Sequence, residues 1–436
     1  MPDLALVCSL LVLGAVLVAV VVAPAGRTEA WWSVPAAGLV VAVGWVTPSE
    51  AGRTLGRLAP TLAFLAAMFV LARLADGAGL FAVVAHRLEA AGRRGADALL
   101  AAVAVGAVGV TSVLSLDATA VLLTPVVVAA TRRRPDRDRS LLATVLLANG
   151  ASLLLPIANL TNLLAFEQLD LGFTEFAARM ALPTVVAAAT ITLGCRLLAG
   201  PPLDPVALAT EVEPGPEVPP GPAGPHGFPV DPDPTPSPGD AGWVAAGLAV
   251  LLVAFAAAGA VGVEPAVVAV AGATVLGAAG LARRTVTAVE VARAVDPGFL
   301  AFVGALGIVV AAPAGLGLTD LVARRLPAGD GLAALLAVAF GAAVLANLVT
   351  NLPALLVLLP AIGDHRPAFV LAALLGVNIG PNLTVTGSLA TLLWRRVVRA
   401  EGVEPARRRF VRVGWATTPV ALAGATVALW ASLRLW

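Results

Sequence analysis

The chain has 436 residues, of which 59% are hydrophobic and 13% are charged, and its formal net charge is +1. Soluble domains carry about 25% charged residues, so this composition excludes an ordinary soluble fold, and the charge balance indicates no nucleic-acid partner. Several apolar runs approach the ~20 residues that a helix needs to cross a bilayer. The sequence therefore predicts an all-α polytopic membrane protein.

The cysteines, Cys8 and Cys195, lie in separate apolar segments without metal-ligand spacing. Neither a disulfide framework nor a metal site is predicted, and no cofactor is expected. No basic region precedes the first apolar segment, 4–22. That segment is therefore predicted to be a first span rather than a cleaved signal.

The first half of the chain, residues 1–200, is predicted to contain scaffold spans within 1–95 and a hairpin and broken helix within 97–199. In chain order the predicted elements are spans at 4–22, 31–47 and 58–75, an amphipathic surface piece at 79–91, hairpin arms at 97–113 and 119–131, a broken helix at 141–168 and a closing span at 174–199. Neither hairpin arm is comfortably long enough to span a bilayer, so a re-entrant hairpin is predicted.

Residues 201–240 differ from the rest of the chain, because fourteen of these forty residues are proline. Such a segment cannot bury an apolar core and is predicted to be an extended linker. The order of elements then repeats in 241–436, with scaffold spans within 241–326 and a hairpin and broken helix within 330–436. The predicted elements are spans at 241–262, 264–283 and 297–312, a surface piece at 317–326, hairpin arms at 330–346 and 353–362, a broken helix at 367–398 and a last span at 411–433.

Identical residues recur between the halves at characteristic spacings. The spacing is 238 in the scaffold segments, 235 in the hairpins, where Pro125 matches Pro360, and 229 in the broken helices, where Asn149 matches Asn378. The chain is therefore predicted to be an internal duplication. Five membrane crossings in each half, ten spans in all, would invert the second copy relative to the first.

Arginine placement predicts the orientation of these inverted repeats. The basic loops 132–139, 283–293 and 395–412 all fall in the cytoplasm if both termini lie outside. The Pro-rich linker is then also cytoplasmic. The predicted location is the inner (plasma) membrane of a bacterial cell.

The stretch from Asn378 to Trp394 reads NIGPNLTVTGSLATLLW and interrupts an apolar segment with Gly, Pro, Asn, Thr and Ser. Pro381 removes a backbone donor and Gly387 is conformationally loose, so a continuous helix is not expected. Backbone that leaves the helix at membrane depth must be buried in protein or line a wet cavity. The pattern is typical of a discontinuous transporter helix that holds its substrate at the break.

Two hairpin tips and two helix breaks are expected to converge near the membrane midplane. Their polar side chains are neutral donors and acceptors, and the arginine expected for bidentate capture of an anion is absent. Any one of them binds substrate or merely satisfies backbone groups freed at a break. The candidate substrate-binding residues are Ser115, Thr119, Asn149, Asn159, Asn162, Thr350, Asn351, Asn378, Asn382, Thr384, Thr386 and Ser388, with Ser112, Ser152, Thr161 and Asn347 on the same elements.

Asp117 is the carboxylate that the predicted boundaries place away from loops and surface pieces. An ionisable group inside the membrane is a functional candidate, because its desolvation must be offset by a partner. Coupling to protons or sodium is one interpretation. Capping of the second hairpin arm through backbone N–H groups is the other.

Residues 380–394, GPNLTVTGSLATLLW, resemble the signature of bacterial arsenite permeases, the membrane subunits of arsenical efflux pumps. The first hairpin around Asp117, the segment Ala158–Asn162 and the segment Asn351–Pro353 are also similar to that family, which belongs to a larger ion-transporter superfamily. Leu116 stands where the family has Asn, and Asn382 stands where many members have Lys.

The resemblance implies an elevator-type transporter that exports arsenite and antimonite, driven by proton exchange or by a partner ATPase on the cytoplasmic face. It also implies that a homodimer is a common arrangement. Sodium/proton antiport or sodium-coupled anion transport on the same fold is the alternative. An embedded enzyme is not predicted, because no metal cluster, Ser-His arrangement or acid pair falls at membrane depth.

Overall fold

The computed structural model describes residues 2–22, 28–200, 238–363 and 366–435, and within these ranges the secondary structure is helical. Residues 201–237 of the predicted linker lie outside the described residues. The chain is described again from a helix that begins at Pro238.

The helices follow one order in both halves. In the first half they are Pro2–Val22, Ala30–Ala42, Pro48–Gly77, Leu80–Arg94, the hairpin arms Ala96–Leu114 and Leu116–Thr131, the broken helix Arg137–Gly150 and Leu160–Phe166, and the closing helix Phe173–Leu198. In the second half they are Pro238–Ala260, Pro265–Arg283, Pro297–Pro313, Thr319–Ala323, the hairpin arms Leu332–Val349 and Asn351–Ile362, the broken helix Pro367–Ile379 and Leu389–Ala400, and the closing helix Arg407–Leu435. A short helix, Ala288–Ala294, was not predicted.

Within the described ranges, eight helices are long and apolar enough to cross a membrane. The first arm of each hairpin is among them, since Ala96–Leu114 has 19 residues and Leu332–Val349 has 18. These arms are slightly longer than the sequence predicted. Ala30–Ala42, predicted to span, has 13 residues and a length of about 20 Å. The chain is a multi-pass membrane protein. Helix length does not separate predicted spans from predicted hairpin arms, because two arms are long enough to span and one predicted span is short.

Arginine side chains tie together the two ends of each hairpin. Arg134 Nη1 donates to the Gly92 carbonyl at 3.0 Å, which joins the residues after the second arm to those before the first. Arg366 donates to the carbonyls of Pro327 and Ala328, each at 3.0 Å, across the second hairpin. The two ends of each hairpin therefore lie close together.

Helices of one half pack on corresponding helices of the other. Ala30–Ala42 packs on Pro297–Pro313, and Pro265–Arg283 packs on Pro48–Gly77, so the second helix of each half contacts the third helix of the other half. The closing helices also pack together, with Gly194 against Thr417. Helices of both halves therefore pack together in one core.

A buried arginine adds an ionic contact between the halves. Arg73, which is 8% exposed, pairs with Asp76 at 2.7 Å and with Glu290 of the short helix Ala288–Ala294. Since an unpaired buried charge is costly, the two carboxylates stabilise Arg73 within the first scaffold helix bundle.

Candidate functional site

Both broken helices restart behind a polar capping side chain. In the first, a 3-10 turn at Pro156–Ala158 leads to Asn159, whose Oδ1 accepts from the Thr161 backbone N–H at 3.2 Å. In the second, a 3-10 turn at Gly380–Leu383 leads to Ser388, whose Oγ accepts from the Thr391 backbone N–H at 3.1 Å. Both breaks lie at the positions that the sequence predicted.

Asn149, in the last turn of Arg137–Gly150, reaches across to the second half. Its Nδ2 donates to Asn382 Oδ1 and to Thr391 Oγ1, both at 3.0 Å. Its Oδ1 accepts from Ser388 Oγ at 2.9 Å. Asn382 Nδ2 in turn donates to the Leu146 carbonyl at 2.9 Å. Asn149 therefore holds the capping residue of the second break.

Asn378, in the last turn of Pro367–Ile379, makes the corresponding contacts to the first half. Its Oδ1 accepts from Asn159 Nδ2 at 3.0 Å and from Thr161 Oγ1 at 2.8 Å. Its Nδ2 donates to Asn162 Oδ1 at 2.8 Å. Asn162 also donates to the Ser152 carbonyl at 2.6 Å. Asn378 therefore holds the capping residue of the first break.

We call these two sets of contacts the reciprocal amide network. It comprises Asn149, Ser152, Asn159, Thr161, Asn162, Asn378, Asn382, Ser388 and Thr391. The sequence spacing of 229 that relates Asn149 to Asn378 also relates Asn159 to Ser388 and Asn162 to Thr391. No member is more than 4% exposed. Six predicted binding residues, Asn149, Asn159, Asn162, Asn378, Asn382 and Ser388, thus bind one another across the halves.

The second hairpin tip is joined to the second break. Asn347 Nδ2 donates to the Gly380 carbonyl at 2.8 Å, and its Oδ1 accepts from Thr384 Oγ1 at 2.8 Å. Thr350 and Asn351 at the tip are half-buried, and Thr386 in the break is exposed. The predicted binding residues at the second tip and second break are therefore more accessible than the residues of the reciprocal amide network.

The first hairpin tip is organised by hydroxyl groups. Thr111 Oγ1 and Thr119 Oγ1 are 2.7 Å apart and share a hydrogen bond. Ser115 Oγ accepts from the Ala118 backbone N–H at 3.3 Å, so Ser115 occupies the N-cap position of the second arm. The buried Ser112 hydroxyl has no hydrogen-bond partner among the described residues. The Ser112 hydroxyl is therefore a buried polar group beside the tip whose hydrogen-bonding capacity the described part of the chain leaves unused.

Asp117 lies apart from the reciprocal amide network. It is half-buried and lines a cavity of about 20 Å³ together with Phe69 and Ala72 of the third helix and Phe299 of Pro297–Pro313. A water molecule needs roughly 10–15 Å³ on this measure, so the cavity has room for about one water-sized species. The carboxylate therefore faces the boundary between the first hairpin and the predicted scaffold.

A larger cavity, of about 900 Å³, opens elsewhere between the predicted scaffold and the hairpin region. It is lined by segments 54–60, 163–172, 259–266, 307–314 and 356–360, and by none of the predicted site residues. Glu167 in its wall accepts from Thr61 Oγ1 at 2.9 Å. The predicted topology puts all of these segments at the outer face.

Sequence reasoning missed one residue of the reciprocal amide network and one residue in the wall of the larger cavity. Thr391 bonds Asn149 although it was not a candidate, and the spacing of 229 from Asn162 was the signal that could have found it. Glu167 lies at the end of the predicted segment 141–168, and no sequence pattern marks its bond to Thr61.

Helical hairpins, paired helix breaks and a buried polar network between two like halves are features of multi-pass membrane transporters. The chain belongs to the citrate transporter family (CitMHS), whose family model matches residues 5–386. It is 27% identical over 408 residues to the arsenical pump membrane protein of Yersinia enterocolitica, covering 90% of each chain. A protein of the same name in Escherichia coli is 27% identical over 413 residues, with 91% of this chain and 92% of that protein covered. The resemblance predicted from residues 380–394 is therefore confirmed over most of the chain.

Proposed function

We propose that this protein exports arsenite and antimonite across the bacterial inner membrane in exchange for protons. The observation that carries the proposal is the similarity, over 90% of the chain, to a protein named arsenical pump membrane protein. A proton-driven exporter needs a site for a neutral solute, an ionisable coupling group and a movement that exposes the site to each side in turn. The described residues offer a candidate for each.

The chemistry of the polar region suits a neutral trihydroxide. Its side chains are amides and hydroxyls, which can donate to and accept from As–OH groups without a fixed charge. Because the reciprocal amide network is satisfied internally, its members position the breaks. The groups that contact substrate are then the more accessible ones, Thr350, Asn351, Thr384 and Thr386, between the second tip and the second break.

Asp117 is proposed as the proton-coupling residue. Its carboxylate lies at the first tip beside a cavity for about one water, and a water held there is a partner for proton exchange with the carboxylate. Protonation removes the charge and so lowers the cost of moving the tip past the apolar surface formed by Phe69 and Phe299. A proton bound on one side could therefore be carried with the hairpin and released on the other.

An elevator movement of two inverted repeats is proposed as the transport mechanism. The reciprocal packing of the second and third helices supports a fixed scaffold, and the matched spacings of 229 and 235 support related mobile halves. The cavity of about 900 Å³ between these parts is the space into which the mobile part would move. The arginine-rich loops favour a topology in which both termini lie outside.

Arsenite accumulation in cells that lack their own efflux system tests the proposal. Cells that express the inserted protein should accumulate less arsenite, and a protonophore should abolish the difference within minutes while ATP is held constant. A difference that survives the protonophore but is lost on ATP depletion would assign the energy to a cytoplasmic ATPase subunit. Equal accumulation with and without the inserted protein would refute arsenite export.

The second candidate is a sodium/proton antiporter or a sodium-coupled anion carrier. The family's description as a citrate transporter favours it. Against the anion carrier, the proposed contact residues Thr350, Asn351, Thr384 and Thr386 carry no positive charge, and a tricarboxylate requires cationic partners. Sodium-dependent citrate uptake by the same cells, with no effect on arsenite, would favour this candidate.

A further inference from the structure

A cleft of about 460 Å³ lies at the open end of the first hairpin, away from the region described above. Three arginines from three different helices line it: Arg94 ends Leu80–Arg94, Arg139 lies in Arg137–Gly150, and Arg196 lies near the end of Phe173–Leu198. Asp97 is the shared partner of two of them, bonded to Arg139 at 3.4 Å and to Arg196 at 2.7 Å. Three guanidinium groups around one carboxylate leave the cleft with an excess of positive charge.

The backbone adds to this preference for an anion. Gly95, Ala96, Asp97 and Ala98, which begin the first hairpin arm, also line the cleft. Gly95 is the N-cap residue of this 19-residue helix, and no side chain caps the helix. The first-turn N–H groups of a helix have no intrahelical partner and carry the positive end of its dipole. They therefore complement the arginines as donors to a phosphate group.

An apolar surface begins where the charged cleft ends. Leu197 lines the cleft and is 68% exposed, and Leu193, one turn earlier on the same face, is 52% exposed. The exposed side chains of Leu182 and Val185 continue this surface along the helix for a total of about 22 Å. A charged head site continuous with an exposed apolar helix face matches a phospholipid rather than a free anion.

We propose that this cleft binds the phosphate headgroup of an anionic phospholipid, with an acyl chain along Leu193 and Leu197. Arg94 makes no ion pair with another described residue, so it is the arginine most available to the lipid. The bound phosphate joins the start of the hairpin, the start of the first broken helix and the end of the closing helix. This site is independent of the transported substrate.

Lipid binding to the purified full-length protein in an uncharged detergent tests the proposal. Native mass spectrometry would compare phosphatidylglycerol with phosphatidylcholine of the same acyl chains and with inorganic phosphate. The wild type should retain phosphatidylglycerol in preference to phosphatidylcholine. Arg94→Gln should weaken phosphatidylglycerol binding by about fivefold, as expected for one basic group at a charged membrane surface. Arg94→Lys should keep most of the binding.

Arg93→Gln is the matched control, because Arg93 is exposed on the same helix turn but does not line the cleft. It should bind phosphatidylglycerol as the wild type does. Equal binding of the two lipids, equal losses in Arg93→Gln and Arg94→Gln, or full competition by inorganic phosphate at millimolar concentration would each overturn the proposal. The last result would identify a site for free phosphate.

Discussion

Asn149 and Asn378 are single residues that connect the two halves. Each lies at the end of a helix segment and bonds the capping residue of the opposite break. A helix segment that restarts inside the membrane must satisfy its first N–H groups, and the caps Asn159 and Ser388 do so. Asn149 and Asn378 hold the capping side chains in position, and the capping side chains bond the first N–H groups of the helix segments that follow. The geometry of each break therefore depends on the other half.

We expect Asn149→Ala and Asn378→Ala to destabilise the protein to similar extents. Each substitution leaves buried donors or acceptors without a partner, at a cost of about 1–3 kcal/mol. The midpoint of thermal unfolding in detergent should fall in both variants. Thr192→Ala is the control, because the Thr192 hydroxyl bonds only the Ala188 carbonyl of its own helix. A large loss in one asparagine variant and none in the other would contradict the reciprocal role.

Asp117→Asn should abolish coupled transport while the protein still inserts and folds. The amide keeps the size and polarity of the side chain at the hairpin tip but cannot bind and release a proton. Transport in cells and the amount of inserted protein are measured together. Asp330→Asn, at an exposed position before the second hairpin, should transport as the wild type does. Undiminished proton-driven transport by Asp117→Asn would remove Asp117 from the coupling mechanism.

The sequence predicted where the helices break, because Gly, Pro and Asn within an apolar run have local consequences. It could not predict which polar side chains bind each other. Asn149 and Asn382 are 233 residues apart, and only the fold brings them together. The residues predicted to bind substrate therefore include several whose hydrogen bonds are used within the protein. The spacing of 229 identifies equivalent positions in the two breaks but not the pairs that bond.

At the scale of elements, the second hairpin docks on the second broken helix through small residues. A Cβ added to Gly376 would lie 2.2 Å from the Ala339 carbonyl oxygen, and one added to Gly380 would lie 2.6 Å from the Ala343 Cα. Small residues four positions apart allow such close helix approach in membranes. The close contact sets the position of the second tip relative to the break, where the accessible polar groups lie.

Gly376→Leu should separate these helices and reduce both stability and transport. Forcing a larger side chain into a packed contact costs about 1–3 kcal/mol. The same substitution at Gly341, which lies on the hairpin arm with nothing within 4 Å, is the control and should have little effect. Thermal unfolding and arsenite export are measured for both variants. Equal behaviour of the two would show that the close approach at Gly376 is not required.

The hairpin tips show a second limit of sequence reasoning at this scale. The backbone turns through residues with positive φ, at Ser115 with 120° and Thr350 with 67°. Non-glycine residues seldom adopt such values, so neither turn was predictable from residue type. The two positions are related by the hairpin spacing of 235. Both tips thus turn through a residue with positive φ at matched positions, although one residue is Ser and the other is Thr.

At the scale of the whole molecule, the halves contact each other through the described helices. The packing of second on third helices, the pairing of the closing helices and the reciprocal amide network are all present without residues 201–237. The two halves are therefore joined by direct contacts between described residues.

A deletion within 205–236 should leave transport largely unchanged if the remaining residues still join the halves. Arsenite export per inserted molecule is the measurement, with wild-type protein at matched expression as the reference. Complete loss of export by an inserted and stable deletion variant would show that this segment is more than a connection.

Flux in proteoliposomes tests most directly whether the protein exchanges arsenite for protons. Purified protein in vesicles with an acidic interior and a neutral exterior should concentrate arsenite inside as protons leave, and the gradient should collapse with a protonophore. In vesicles that contain Asp117→Asn protein, the internal arsenite concentration should rise no higher than the external concentration. Arsenite uptake that ignores the pH gradient, or a response to a sodium gradient alone, would contradict the claim.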